Sequence, residues 1–217
     1  MRRLRLTPRR LAAAVLVGAM ACTGVAYAAS LGVGSGKLHA WSQTLTKATC
    51  NQTSTTEDDT YVQQGSPTST AGASATTLSV SSGAAKNYAF IRFDLSGCSL
   101  PTTAGADSSA LTVFVTNASP HTISVYPVYS SWSSATLTWN GVSGLTIGAT
   151  ATATFTGSAG SHVLTVTADV DAAIKAGALW GWELRDNTAG GATTTKIGSA
   201  QNATVADRPS MTLSDEK

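Results

Sequence analysis

The sequence predicts an all-β sandwich or barrel, and three observations lead to that fold class. Thr (33 residues) and Ser (26 residues) together make up 59 of the 217 residues, a composition that suits pleated sheets better than helices. Short runs of alternating apolar and polar residues recur from residue 58 onward, separated by Gly, Ser, Asn and Pro. These runs do not alternate with helical patterns, which excludes a doubly wound nucleotide-binding fold.

Eleven runs have the length of a strand, and turn residues lie between them. They are residues 59–64, 76–81, 88–95, 110–117, 122–129, 136–139, 151–156, 162–167, 179–186, 196–200 and 210–213. One helix is predicted at 169–176, where Val170 and Ile174 recur at helical spacing. Asp169 is placed to cap its first turn, and Gly177 follows its end.

Alternation along the strands separates a core face from an outer face. In the ninth run, Trp180, Trp182 and Leu184 share the predicted core face. Glu183 and Arg185 share the opposite face. The outer face therefore mixes aromatic and charged side chains wherever the same alternation holds in neighbouring strands.

Residues 1–28 are predicted to be a secretory signal peptide. The first ten residues carry five arginines and no acid, and a small apolar stretch follows. Ala26 and Ala28 stand at the −3 and −1 positions of a cut before Ala29. A membrane anchor is the alternative, but the apolar stretch is short and Thr23 interrupts it. We therefore expect a secreted, extracellular protein with no membrane contact once the signal is removed.

Cleavage would change the charge of the chain. Five of the 14 basic residues would leave with the signal, so that nine basic residues would face 12 acidic ones, a net charge of −3. Such a balance argues against nucleic acid or an anionic membrane as a partner. What remains divides into a polar N-terminal extension, 29–56, and one domain, 57–217.

The cysteines agree with export. Cys22 leaves with the predicted signal, and Cys50 and Cys98 remain as an even pair, which predicts a disulfide bond in an oxidising compartment. Closing so long a loop contributes about 4 kcal/mol in the chain-entropy model. A metal site would need further ligands at short spacing, and the sequence has none near either cysteine.

Searches for catalytic motifs predict that the protein is not an enzyme. The sequence has no phosphate-binding loop and no Gly-x-Ser-x-Gly motif, and its histidines, His39, His121 and His162, are far apart. Twelve acids nevertheless permit paired carboxylates, so a glycan-cleaving enzyme stays an alternative.

The sharpest acidic cluster is Asp58 and Asp59, which follow Glu57. Carboxylate oxygens are the ligands that Ca²⁺ prefers, so one interpretation of these two residues is a structural Ca²⁺ site, with Ca²⁺ as the cofactor. The alternative is a solvated strand start, and we favour it because no further ligands can be placed.

Several short motifs follow one another in an order that resembles one known family. They are Asp58-Asp59-Thr60-Tyr61-Val62, Tyr88-Ala89-Phe90-Ile91-Arg92-Phe93-Asp94-Leu95-Ser96, Trp132 with Thr136-Leu137-Thr138-Trp139-Asn140, Gly181-Trp182-Glu183-Leu184-Arg185-Asp186, and Arg208-Pro209. Over residues 57–213 the chain resembles the secreted DNRLRE-type domains, the family 96 carbohydrate-binding modules. The resemblance implies a jelly-roll β-sandwich of about ten short strands with one short helix. It also implies binding of extracellular polysaccharide, with acidic glycans such as alginate among the ligands.

The chain departs from that family pattern at two places. The family usually has Glu two residues after the first Trp of the paired-Trp motif, and this chain has Ser134. Before the closing Arg-Pro the family tends to have Ser-Arg-Glu, and this chain has Ser199-Ala200-Gln201. If those groups contact a metal or a glycan in the family, this chain lacks the contact.

Together these observations predict a secreted, monomeric, non-catalytic module that binds an extracellular or cell-wall polysaccharide. The predicted ligand-binding residues lie on the outer face, where aromatic area and charged groups meet, as a sugar site requires. They are Tyr88, Arg92, Tyr126, Glu183 and Arg185. The competing interpretation is that Arg92 pairs with Asp94 or Glu183 and only holds the sheet. A second alternative is a structural cell-surface or spore-surface β-sandwich without a glycan ligand.

Overall fold

The structure is a computed structural model that describes part of the chain. It describes residues 27–29, 40–42, 47–52, 57–94, 108–176, 180–189, 191 and 193–216. The chain divides into two compact units, Met1–Leu45 and Thr46–Lys217. In the first unit, strand β1 (Tyr27–Ala29) pairs antiparallel with strand β2 (Ala40–Ser42). The rest of the predicted signal peptide lies outside the described residues, and the signal stays a prediction.

The second unit contains a six-stranded antiparallel sheet. Its strands are β3 (Lys47–Gln52), β5 (Thr77–Val80), β7 (Ser108–Asn117), β10 (Gly160–Thr165), β12 (Thr195–Gly198) and β13 (Ser210–Glu216). The long strand β7 pairs with β10 along one edge, and with β13 and then β12 along the other. Strand β3 extends the sheet beyond β13, and β5 extends it beyond β12.

A five-stranded antiparallel sheet faces the first. Its strands are β4 (Glu57–Gln63), β6 (Asn87–Phe93), β8 (Thr122–Pro127), β9 (Ala153–Thr156) and β11 (Trp182–Asp186). Their order across the sheet is β4-β6-β11-β8-β9. From β4 to β8 the chain alternates between the two sheets, as in a jelly roll. The predicted all-β sandwich is confirmed.

The core lies between the two sheets. Leu78, Val113 and Ile197 enter it from the six-stranded sheet and are fully buried. Ile91 and Leu184 enter it from the five-stranded sheet and are also fully buried. Burying one such side chain contributes about 1.5–3 kcal/mol to the free energy of folding. The apolar residues of the predicted alternation therefore stabilise the packing of the two sheets.

A second apolar cluster covers part of the outer face of the five-stranded sheet. The segment 129–148 folds over this face and buries Trp132 and Leu137 against Phe90 of β6. Within it, helix α1 (Trp139–Val142) is a single turn whose N-cap hydroxyl belongs to Thr138. The strand predicted at 136–139 is therefore wrong, although the other ten predicted strands have counterparts. The Thr-Leu-Thr-Trp alternation arises because Leu137 is buried and Thr138 caps helix α1, not because the segment forms a strand.

Helix α2 (Thr167–Ala176) confirms the predicted helix but starts two residues earlier. The carboxylate of Asp169 is buried in the first turn of this helix. Its Oδ2 accepts a hydrogen bond from Trp182 Nε1 at 2.8 Å, and its Oδ1 accepts one from Thr152 Oγ1 at 2.8 Å. Asp169 therefore ties α2 to the core tryptophan of β11 and does not act as the predicted cap.

Trp180 and Trp182 lie in different apolar clusters, so the prediction that they share the core face is wrong. Trp182 is buried in the sandwich core, whereas Trp180 packs in the cluster formed by segment 129–148. Gly181 separates them and has φ of +94°, a conformation that glycine adopts at little cost. A Cβ atom at this position would also overlap the carbonyl oxygen of Ile91, so the strand approaches β6 closely there. The glycine breaks the two-residue alternation on which the prediction relied.

Strand β3 lies ahead of the predicted domain start at residue 57. Its backbone pairs with β13 and places Cys50 opposite Leu213. As an edge strand with a polar sequence it lacks the apolar alternation that marks the other strands, which is why the sequence assigned it to the extension. Cys98 lies outside the described residues, and its disulfide with Cys50 stays a prediction. No helix within the described parts of the chain is long and apolar enough to span a membrane.

Candidate functional site

Four side chains gather on the outer face of the five-stranded sheet and form what we call the Arg185 cluster: Tyr88, Tyr126, Glu183 and Arg185. The Cζ atom of Arg185 lies 5.0 Å from the ring centroid of Tyr88 and 5.1 Å from that of Tyr126. The guanidinium is thus held over two aromatic rings, an arrangement that favours the cation by about 0.5–2 kcal/mol per ring. Both tyrosines are partly exposed, so the cluster reaches the surface.

Strand register explains why these residues meet. Leu184 of β11 lies opposite Ala89 of β6 and Val125 of β8, and all three side chains point into the core. Their neighbours point to the other side of the sheet, because side chains alternate along a strand. Glu183 therefore lies across from Tyr126 on the outer face.

Glu183 lies fully buried beneath the cluster. Arg185 Nη2 is 2.5 Å from Glu183 Oε2, and the Glu183 side chain is 0% exposed against 28% for Arg185. Burial raises the pKa of the Glu183 carboxyl, and the ion pair with Arg185 opposes that shift. Burial also raises the pKa of the Tyr88 hydroxyl, again against the influence of Arg185.

Two polar atoms of this ion pair lack hydrogen bonds in the part of the chain that the structure describes. Glu183 Oε1 and Arg185 Nε are buried, and neither has a hydrogen-bond partner among the described residues. Buried polar atoms without partners are rare in folded proteins. The cluster therefore combines partly exposed aromatic area with buried hydrogen-bonding groups that no described residue satisfies.

Two residues that the sequence analysis missed extend the cluster. The Trp139 ring lies 4.8 Å from the Tyr88 ring, centroid to centroid, and Asn187 Nδ2 donates a 2.8 Å hydrogen bond to the Tyr126 hydroxyl. Asn187 could have been found, because it continues the alternation of Glu183 and Arg185. Trp139 could not, because its position depends on the path of segment 129–148.

Arg92 lies on the same face but outside the cluster. It stands four positions after Tyr88 along β6, which corresponds to about 13 Å. Its Nη2 donates a 2.8 Å hydrogen bond to Asp58 Oδ2, and its Cζ lies 5.4 Å from the rings of both Trp132 and Trp180. Arg92 therefore pairs with Asp58, and Glu183, one of its predicted partners, pairs with Arg185 instead.

Asp58 and Asp59 point to opposite sides of β4. Asp58 lies across from Arg92 on the outer face, whereas Asp59 lies across from Ile91 on the inner face. Adjacent residues in a strand cannot direct their carboxylates to one ion. The arrangement thus removes the geometric basis for a Ca²⁺ site shared by this pair. Within the described residues, no three His, Cys, Asp or Glu side chains cluster as metal ligands.

A buried His–Asp pair lies on the core side of β11. Asp186 Oδ2 is 2.6 Å from His121 Nδ1 and accepts a 3.0 Å hydrogen bond from Ser82 Oγ, while Oδ1 accepts one from the Thr188 amide at 2.8 Å. Burial opposes ionisation of this carboxyl, but the hydrogen bonds from Thr188, His121 and Ser82 outweigh it, so the pKa of Asp186 is lowered. The pair holds the end of β11 to the loop before β8.

We expect Asp186→Asn to lower the free energy of unfolding by about 1–2 kcal/mol near neutral pH. Because the folded-state pKa lies below the unfolded value of about 3.9, the carboxylate stabilises the protein above that value. That contribution is lost as the pH falls through the folded-state pKa. Urea unfolding across this range checks the prediction, with Asp207→Asn in the turn Val205–Asp207 as the matched control. Equal losses for the two variants, or a difference that persists in strong acid, would contradict it.

Comparison with known proteins decides the family. The family model described as Carbohydrate-binding module family 96 matches residues 50–215. The chain belongs to this family. No curated protein matches it significantly. The match to family 96 includes strands of both sheets and all four residues of the Arg185 cluster.

The two departures from the family 96 pattern both lie beside the acids of β4. The backbone amide of Ser134 donates to Asp58 Oδ2 at 3.2 Å. The backbone amide of Ala200 donates to Asp59 Oδ2 at 2.7 Å.

Proposed function

We propose that this protein is a secreted, non-catalytic carbohydrate-binding module that binds an extracellular or cell-wall polysaccharide through the Arg185 cluster. The observation that carries the proposal is the guanidinium of Arg185, held over the rings of Tyr88 and Tyr126 above a buried carboxylate. Family 96 membership supports carbohydrate binding as the class of function.

The chemistry of the cluster suits a sugar. Aromatic rings pack against apolar C–H surfaces, of which a pyranose ring has two, and rigid rings do so at low entropic cost. Sugar hydroxyls both donate and accept hydrogen bonds, so they match the partly exposed guanidinium of Arg185. The Tyr126 hydroxyl and Asn187 amide add further hydrogen-bonding groups at the same place.

Affinity gel electrophoresis of the purified protein tests the proposal. The gels contain alginate, pectin, chitosan, xylan, β-glucan or no glycan, each with EDTA or Ca²⁺. Retardation in at least one glycan gel is expected. Equal mobility in every gel, from a sample that circular dichroism shows to be folded, would contradict the proposal and favour a structural surface protein. Release of reducing ends from any of these polymers would contradict its non-catalytic part.

Tyr126→Ala is expected to weaken binding to a retarding glycan about tenfold, because it removes one ring of the cluster. Tyr129→Ala is the matched control. Tyr129 is 39% exposed and lies three residues along the chain, but it is not part of the cluster. The two variants make the same chemical change, so equal loss of affinity would mean that binding uses another surface.

A further inference from the structure

The charges on the outer face of the five-stranded sheet are compensated within the protein. Arg185 pairs with Glu183 and Arg92 pairs with Asp58. Lys86 and Asp94 stand directly before and after β6, one charge of each sign. Within the strands of this face, each of the two arginines thus has one carboxylate partner. A polyanionic glycan is recognised by guanidinium or ammonium groups that are available to its carboxylates, and here both guanidinium groups already have carboxylate partners.

The other half of the same face carries no side-chain charge. Residues 108–168 contain no Asp, Glu, Lys or Arg, and this stretch includes β8, β9 and segment 129–148. The outer-face positions next to Arg185 are Ser124 of β8 and, across from it, Thr154 of β9. Ser124 is buried and Thr154 is exposed, so the group available there is the Thr154 hydroxyl, which forms hydrogen bonds with neutral sugars.

Glu183 makes the site unfavourable for an anion. Its carboxylate is completely buried, and the interaction between charges strengthens as water is excluded. A ligand carboxylate near Arg185 would compete with Glu183 for the same guanidinium and repel it at short range. A neutral hydroxyl would not compete with Glu183 for the ion pair with Arg185, and Glu183 would not repel it.

We infer that the polysaccharide bound by the Arg185 cluster is electrically neutral, an inference that rests on the proposed function. It separates this chain from the acidic glycans that its family resemblance implies. Specificity here depends on an internal carboxylate that cancels the charge of the arginine in the site.

The test compares neutral polymers with acidic ones by affinity gel electrophoresis and calorimetry on the wild-type protein. The neutral set is xylan, mannan and β-glucan, and the acidic set is alginate, polygalacturonate and hyaluronan. We expect a neutral polymer to bind, with an affinity that changes less than about twofold between low salt and about 0.5 M NaCl, where exposed charges are largely screened. Binding to acidic polymers alone would overturn the inference and leave the proposed function standing. Binding to no polymer in either set would overturn both.

A charge variant tests the role of Glu183 directly. Glu183→Gln leaves the Arg185 guanidinium without its carboxylate, so affinity for alginate or polygalacturonate is expected to rise about tenfold at low salt and to fall again in about 0.5 M NaCl. Glu216→Gln makes the same chemical change at the end of β13, in the other sheet, and is expected to have no such effect. An equal rise in both variants, or none in a folded Glu183→Gln protein, would overturn the inference. If Glu183→Gln does not fold, the wild-type comparison decides.

Discussion

Replacing Arg185 with alanine is expected to lower the free energy of unfolding by about 3 kcal/mol near neutral pH. The reason lies in its partner, because the Glu183 side chain is completely buried and pairs with Arg185 at 2.5 Å. Removing the arginine leaves a carboxylate without compensation in a water-poor environment, which costs more than the net contribution of the intact pair. Denaturant unfolding of the single variant measures the loss.

The pH dependence identifies the cause. Burial raises the pKa of Glu183, so the folded protein binds this proton more tightly than the unfolded chain, whose Glu pKa is about 4.3. Ionised Glu183 therefore costs stability above the folded-state pKa, and the cost disappears below the unfolded value. Without Arg185 the cost is larger, so the difference between Arg185→Ala and wild type should shrink as the pH falls from about 7 to about 4. A difference that is independent of pH would show that lost packing, and not the buried charge, explains the loss.

A double-mutant cycle separates the pair from its surroundings. Arg185→Ala combined with Glu183→Gln should be more stable than Arg185→Ala alone, with a coupling energy of at least about 2 kcal/mol. The expected loss of stability also decides which Arg185 variant is suitable for binding experiments. Because Arg185→Ala is expected to destabilise the fold, Arg185→Lys is the better probe of glycan contact. Lysine keeps the charge but loses the planar group that stacks on the tyrosines.

The strands could be predicted because their signal is local. In strands such as β7, buried residues alternate strictly with the others, and Leu111, Val113 and Val115 are all fully buried. A two-residue period is visible in the sequence alone, since it needs no knowledge of neighbouring strands. The same alternation placed Glu183 and Arg185 correctly on one face.

The sequence could not predict which side chains of neighbouring strands and helices contact one another. Alternation puts Tyr88 and Arg92 on one face, but only the pairing of β4 with β6 gives Arg92 its partner Asp58. The sequence around Asp169 is typical of a helix cap. Its carboxylate instead accepts a hydrogen bond from Trp182, because α2 packs against β11. Such contacts join residues distant in the chain, and no local period encodes them.

Gly181 shows a different limit. Its positive φ changes the direction of the chain between Trp180 and Trp182, so a single residue overrides the period of the surrounding strand. One glycine within an apolar run gives only a weak signal of this kind in a sequence. It brings Trp180 to the outer face, where the Trp180 ring lies near Arg92.

Arg92→Ala is expected to loosen segment 129–148 and to lower the free energy of unfolding by about 2–3 kcal/mol. The guanidinium of Arg92 contacts the rings of Trp132 and Trp180 and pairs with Asp58. Trp132 Nε1 donates to the Trp180 carbonyl oxygen at 2.6 Å, so the two indoles and the arginine form one connected group. Hydrogen exchange followed by mass spectrometry measures this loosening. Relative to wild type, exchange in Arg92→Ala should be accelerated more in 129–148 than in β7. Uniform acceleration throughout the chain would contradict a local role.

Arg92→Lys distinguishes stacking from charge in the same group. Lysine retains the ion pair with Asp58 but lacks the planar surface that meets the indoles, so exchange in 129–148 should be intermediate between alanine and wild type. Exchange indistinguishable from wild type would assign the whole effect to the ion pair.

The same variant determines whether Arg92 contacts glycan or acts through the segment that it holds. Segment 129–148 carries Trp139, whose ring lies 4.8 Å from Tyr88 in the Arg185 cluster. If Arg92 is a positioning residue, Arg92→Ala and Trp139→Ala weaken glycan binding through the same loss. The double variant should then bind glycan only slightly less tightly than the single variant with the lower affinity. The losses of affinity are not additive when two residues act through one element. Additive losses in affinity would instead indicate that Arg92 touches the polysaccharide itself, as the sequence predicts.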